Sequence, residues 1–141
     1  AEKYYREALS FYPTSPYYIN LLAYFLIDKD RNIVEGLELV DKALEINLDE
    51  YCICDTKGWG LYKQGRYNEA LEYLSRSWDL NPFFNYEVFI HLEAAKKAVN
   101  KHVEDNYLKN GKLDNRADGW GSDYYTLTVI EEGDVVENDN D

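Results

Sequence analysis

Four side chains in this 141-residue sequence are obvious candidates for acid–base, nucleophilic or metal chemistry: His91, His102, Cys52 and Cys54. Catalysis by proton transfer needs a base, a nucleophile and an orienting group held in one pocket. Both histidines fall on one long helical pattern near the C-terminal end. His91 sits near its packing face, where a satisfied core imidazole is the commoner role. Cys52 and Cys54 lie two apart on another helical pattern, so their side chains diverge by about 200° and do not bridge easily. Cys54 falls on the packing face as a small apolar residue, and Cys52 nearer an open face. As a metal pair they lack two further ligands at sensible spacing. Residues 114–125 approach the outline of a calcium loop through Asp118 and Gly119. Arg116 takes a ligand place there, however, and Tyr125 replaces the closing bidentate glutamate. Ser122, Tyr124 and Leu127 match a tyrosine-phosphorylation pattern, which chance alone supplies among fourteen tyrosines. No glycine-rich phosphate cradle occurs. The expectation is therefore no catalytic residues, no cofactor and no metal.

The elements that would position these groups are helices. Residues 55–82 set Gly58, Gly65, Tyr67, Ala70 and Pro82 at the spacing of two antiparallel helices joined by a tight turn. Gly58 and Ala70 stand where the helices approach most closely and a larger side chain would force them apart. Gly65 suits the turn because it accepts positive φ without strain. Pro82 cannot continue the hydrogen-bond ladder and so stops the second helix. Leu61, Leu71, Leu74 and Trp78 form the apolar stripe at helical spacing.

The phrase recurs. Ala23 stands where Gly58 does, Gly36 matches Ala70, and Ala43 matches Ser77. Ala23 and Gly58 are one residue further apart than Gly36 and Ala70, and the extra residue is expected in the turn at 28–32, since a helix could not absorb it without rotating its apolar face. Ala1, Ala8 and Pro13 keep the spacing of Ala70, Ser77 and Pro82, so residues 1–13 read as the second helix of a repeat whose first helix is missing. The sequence thus looks like a fragment of a longer array. Residues 86–109 open a third unit, but Val88, Leu92, Ala95, Val99, Val103 and Tyr107 run on at helical spacing. That reads as a long closing helix.

These lines resemble tetratricopeptide (TPR) repeats, and in particular the closing repeats of large bacterial TPR proteins. There a repeat of the type Asn-x-Leu-Ala-Tyr precedes one of the type Asp-Thr-x-Gly-Trp-x-Leu-Tyr-Lys-x-Gly-Arg-Tyr-x-Glu-Ala. Here these are residues 20–24 and 55–70, and the resemblance covers roughly residues 1–100. It implies an all-α helical-hairpin solenoid of about two full repeats plus flanking helices. The expected solenoid domain is 1–110, divided into 1–13, 16–48, 51–82 and a capping helix at 86–109, followed by an acidic tail at 111–141. Lys57 departs from the family's apolar residue before Gly58 and must snorkel out or pair with an acid. Glu93 stands where the third repeat would carry a glycine.

The resemblance also implies where a ligand would sit. First helices of successive TPR repeats line a concave face, which here points inward Tyr17, Asn20, Tyr24 and Ile27, then Cys52, Asp55, Trp59 and Tyr62, then Glu87 and Ile90. Tyr24 and Trp59 hold the same place in adjacent repeats, and aromatic rings dominate interface energetics. They either read a ligand or cover the helix junction. Asn20 and Asp55 could hydrogen-bond an extended peptide. The Lys and Asn clamp by which chaperone-binding TPRs capture a terminal carboxylate is missing. Asp55 and Glu87 favour a Lys, an Arg or a free amine instead.

Charge agrees with that preference. Residues 1–110 carry 18 acids and 13 bases, and residues 111–141 carry 9 acids and 2 bases. An acidic chain gains nothing from phosphate contacts, which argues against nucleic acid, and steers basic partners toward it. No apolar run reaches the ~20 residues needed to span a bilayer. Two unpaired cysteines lean toward a reducing compartment, but cytoplasm and periplasm both remain open. In the tail, residues 123–130 are rich in aromatic and β-branched types, and either dock as a self-contact or stay disordered. The functional expectation is a non-catalytic scaffold that binds a protein or peptide in the concave groove. The alternative is a structural spacer or self-assembly element of a longer protein, with contacts made by the tail or the repeat ends.

Overall fold

A computed structural model describes residues 1–110, with side chains through residue 107. It contains α1 (Glu2–Phe11), α2 (Pro16–Asp28), α3 (Ile33–Ile46), α4 (Tyr51–Lys63), α5 (Tyr67–Leu80) and α6 (Tyr86–Asn110). No strand occurs among the described residues. The fold is an all-α helical-repeat solenoid in which α2/α3 and α4/α5 form successive hairpins. The expectations for the tail (the β-prone stretch 123–130, the calcium-like loop 114–125 and the tyrosine pattern 122–127) lie outside the described residues. The chain divides into two units, Ala1–Ala95 and Lys96–Asp141. In the second, Lys96–Asn110 is helical, and Lys101 pairs with Asp105 one turn on at 3.3 Å.

Each hairpin turn is built from its own residues. The Arg31 N–H donates to the Leu26 carbonyl at 2.9 Å, and the Arg66 N–H to the Leu61 carbonyl at 2.9 Å. Asp30 and Gly65 therefore hold equivalent places, both left-handed, at φ 54° and 80°. The extra residue of the first turn is Asn32, whose side chain accepts from the Glu35 N–H at 3.0 Å and caps α3. A Cβ on Gly65 would meet nothing within 4 Å. Gly65→Ala is thus expected to cost about 1 kcal/mol from backbone strain alone, read as a lower urea midpoint with an unchanged m-value.

Packing within Ala1–Ala95 depends on close helix approaches. A Cβ on Gly36 would lie 2.6 Å from Ile27 Cγ1, and one on Gly58 would lie 2.6 Å from Leu74 Cγ. Gly60 works between hairpins, where its Cβ would lie 2.6 Å from Leu37 Cδ2. Ala23, Ala43 and Ala70 are fully buried beside these contacts. The first core gathers Ile19, Ala23, Ile27, Leu37, Val40, Ala43, Leu44, Ile53 and Cys54. Ser77, which replaces the alanine of the previous repeat, is buried and donates to the Tyr51 carbonyl at 2.7 Å. Its hydroxyl is thereby satisfied, as burial of a polar group requires. Lys57 reaches Asp41 at 2.7 Å and lies 5.8 Å over the Tyr73 ring. At the chain start, Arg6 grips Glu35 with two 3.0 Å bonds, and Tyr5 packs on Phe25 at 5.5 Å. Ala8 is half-buried on α1. Pro13, Tyr67 and Pro82 lie at exposed helix boundaries.

One apolar position departs from expectation. Trp78, read from spacing as part of the apolar stripe, is 36% exposed and turns toward Phe84 and Phe89, at 5.8 and 6.1 Å between ring centroids. Helical periodicity fixes the face of a residue, but an indole near the helix end can lean out to neighbouring rings.

Candidate functional site

Three helices present their inner faces to one another within the first unit. α2 contributes Asn20 and Tyr24, α4 contributes Cys52, Asp55 and Trp59, and the first turns of α6 contribute Glu87 and His91. Asn20 and Tyr24 are four apart, as are Asp55 and Trp59 and as are Glu87 and His91. Each pair therefore shares one helix face.

At the centre a chain of polar contacts crosses all three helices. His91 Nδ1 lies 2.9 and 3.2 Å from the two carboxylate oxygens of Asp55. His91 Nε2 lies 3.5 Å from the Tyr24 hydroxyl, which donates to Glu87 Oε2 at 2.6 Å. Trp59 stacks on the His91 ring at 4.0 Å and 16°, and on Tyr62 at 4.9 Å and 6°. The Trp59 Nε1–H donates to Asp28 at 3.2 Å. Lys63 lies 5.5 Å over the Trp59 ring and also reaches Asp30 at 3.0 Å. Asp55 and His91 are almost fully closed off, at 6% and 4% exposure. Burial pushes the Asp55 carboxyl above its ordinary value, and the hydrogen bond from His91 partly offsets that rise. Burial, followed by the bond to Glu87, pushes the Tyr24 hydroxyl far above the ordinary tyrosine range.

Acid, imidazole and hydroxyl occur here in the order of a catalytic relay, but the geometry opposes that use. A relay needs the hydroxyl proton directed at the imidazole and a reacting centre within reach. Tyr24 directs its proton at Glu87 instead, and the imidazole is walled off. Burial likewise pushes the Cys54 thiol up, away from the reactive thiolate. Among the described residues, no group of His, Cys, Asp and Glu is placed to hold a metal ion. Above these buried contacts the helices leave an open surface.

That surface is a cleft of about 150 Å³ lined by Asn20, Leu21, Tyr24, Tyr51, Cys52, Asp55, Thr56, Asn85, Glu87 and Val88. An adjoining cleft carries Pro16, Tyr17, Asn20, Asn47, Glu50, Tyr51, Cys52 and Ile53. Neither wall contains a basic residue. Asn20 is common to both clefts, and its Oδ1 is buried without a hydrogen-bond partner. Of the residues expected to face inward, Asn20, Tyr24, Asp55 and Glu87 thus come together, with Tyr17 next to them. Trp59 and Tyr62 form the stacked floor instead. Ile90 is exposed but not among the residues lining either cleft, and Ile27 is fully buried in the core. His91 is the residue that spacing undervalued. Its position four after Glu87, on the same helix face, was the available signal.

Hairpins stacked through small-residue contacts beside an inner polar cleft define a helical-repeat protein. A TPR repeat-containing protein of Pseudomonas aeruginosa is 34% identical over 91 residues, which is 64% of this chain. The chain spans only 15% of that relative's length. No family model matches. The recurring phrase and the hairpin geometry agree with that similarity to a tetratricopeptide-repeat protein.

Proposed function

We propose that this chain is a non-catalytic protein-interaction module that takes an extended peptide segment carrying a lysine or arginine into the cleft between α2, α4 and α6. The observation that carries the reading is the cleft's composition. Glu87 and Asp55 stand beside Tyr24 and Tyr51, the Asn20 acceptor is unpartnered, and the walls contain no cation. A backbone N–H of a bound segment would satisfy Asn20, and a cationic side chain would meet Glu87 at the rim. Aromatic walls add cation–π attraction for such a group. The solenoid domain is proposed over residues 1–110, and the cleft residues all belong to its first unit, Ala1–Ala95.

The test is charge reversal at the rim. Glu87→Lys is expected to weaken binding of a lysine-rich peptide more than tenfold, by like-charge repulsion and loss of the acceptor, while far-ultraviolet circular dichroism stays unchanged. Equal binding by wild type and variant would discard the cleft as the reader.

A second reading has its own observation. Phe83, Phe84 and Tyr86 are exposed in the stretch that follows the α4/α5 hairpin, and Phe84 packs against Trp78 and Phe89. Such patches mark contact sites and favour a structural role in which the repeat ends make the contacts. An exposed-face variant, Phe83→Ser/Phe84→Ser, would lose self-association or partner capture under that reading and leave peptide binding intact.

A further inference from the structure

We propose that His91 is a proton-operated latch beneath the cleft, which ties Tyr24 to Asp55 when the imidazole carries two protons and releases Tyr24 and Glu87 when it carries one. The proposal rests on the cleft reading above and names how that site is regulated.

The donors and acceptors around His91 fix where its protons must lie. Tyr24 has a single hydroxyl proton, and it goes to Glu87 Oε2 across 2.6 Å. The oxygen therefore turns a lone pair toward His91 Nε2, 3.5 Å away, and that contact is a hydrogen bond only if Nε2 carries a proton. His91 Nδ1 faces both oxygens of Asp55, so it also carries a proton. The arrangement is satisfied at every atom by an imidazolium. A neutral ring protonated at Nδ1 keeps the shorter contact to Asp55 and loses the longer one to Tyr24.

The charges around the ring give this change a consequence. From α4, Asp55 faces His91 directly, and Trp59 stacks on it with Lys63 above the indole. From α2 come Tyr24 and, through the indole N–H, Asp28. From α6 itself comes Glu87, one turn away. With His91 charged, one of the two cleft carboxylates is compensated. With His91 neutral, both Asp55 and Glu87 act on whatever enters, and the Tyr24–Glu87 pair is freed from the floor to meet it. Histidine is the side chain whose charge ordinarily changes between pH 5 and 8. A cationic segment is therefore held more tightly as pH rises. The expected gain is about tenfold, the scale of removing one unit charge close to the site in a medium of intermediate dielectric.

The chain contains two histidines, and His102 is exposed, which makes it an internal control. The full chain labelled with [15N]histidine would be followed by two-bond 1H–15N correlation spectra from pH 5 to 9, with His102→Gln giving the assignment. Fluorescently labelled hexalysine would be titrated in parallel at fixed salt, and read by anisotropy for wild type, His91→Gln and Glu87→Gln. The expected result is a His91 ring that passes from doubly protonated to the Nδ1–H tautomer within that range. Hexalysine affinity should rise about tenfold through the same interval in wild type, and much less in His91→Gln. Glu87→Gln should move the His91 transition to lower pH by removing an anion. A His91 ring held in one protonation state throughout would overturn the proposal, as would wild-type affinity no more pH-dependent than that of His91→Gln. If hexalysine binds well but without pH dependence, the latch alone falls. If it binds at no pH, the cleft reading falls and takes the latch with it. Should His91→Gln not fold, the wild-type spectra and Glu87→Gln still decide.

Discussion

Replacing Gly58 by valine should remove most of the stability of the α4/α5 hairpin, at a cost of about 3 kcal/mol or more. A Cβ at this position would sit 2.6 Å from Leu74 Cγ, 2.8 Å from Leu74 Cδ2 and 3.2 Å from the Ala70 carbonyl oxygen. Leu74 is completely buried and cannot swing aside, and the carbonyl belongs to the helix itself. The only relief is to separate α4 from α5, which opens the core around Leu61 and Leu71. Alanine makes the same clash with two atoms fewer beyond it, and gains up to about 1 kcal/mol of helix propensity over glycine. Gly58→Ala should therefore fall well short of the valine loss. Thermal melts of the two variants test this ordering. Near-equal melting temperatures for Gly58→Val and wild type would show that the helices are not in close contact.

The second large effect belongs to Asp55. Asp55→Ala leaves the buried His91 Nδ1–H without its acceptor and opens a void beneath the cleft. Breaking a buried pair in this way costs about 3 kcal/mol at neutral pH. Asp55→Asn is the informative contrast, because a carboxamide oxygen can accept the same bond without a buried charge. Its cost should stay within about 1 kcal/mol. The acid limb of the stability profile separates the two states of the native carboxyl. Burial raises the folded-state value of Asp55. Its contribution is thus fully present below the ordinary carboxylate range and is lost as pH rises through the raised value. Asparagine does not titrate. The stability advantage of wild type over Asp55→Asn should therefore be largest in acid and shrink toward neutrality, as measured by urea unfolding at several pH values. An advantage that grows with pH would mean that ion pairing, rather than burial, dominates at this residue.

Much of the fold was legible in the sequence because its controlling residues act locally. Gly65 announced its turn through backbone conformation, and Gly36, Gly58, Ala23 and Ala70 announced close approaches through size alone. The one-residue offset between repeats placed the extra residue in the turn at 28–32, and the structure shows it to be Asn32, the cap of α3. The site was legible only in part. Inward positions inherited from the repeat placed Asn20, Tyr24, Asp55 and Glu87 together. They said nothing of the bond from His91 to Asp55, which joins residues 36 apart in sequence and forms only once α6 has docked on α4. Trp59 illustrates the same limit. Spacing aims it inward, while its stacking on His91 and Tyr62 makes it a floor instead of an exposed reader. Gly60 escaped notice because its close neighbour, Leu37, lies in the preceding hairpin. Trp78 lies on the apolar stripe that periodicity gives, but two neighbouring rings, Phe84 and Phe89, draw it outward.

On the proposed function, the cleft between α2, α4 and the first turns of α6 holds a cationic segment of another protein. The most direct measurement is the affinity of wild type for hexalysine and hexaglutamate at physiological salt, repeated with Glu87→Lys and with Asn20→Ala. Hexalysine should bind and hexaglutamate should not, with a more than tenfold loss in Glu87→Lys, a smaller loss in Asn20→Ala, and melting temperatures within a few degrees of wild type. Hexalysine affinity that survives charge reversal at Glu87 unchanged would contradict this reading, and would move the contact to the exposed rings around Phe84 or to the acidic tail.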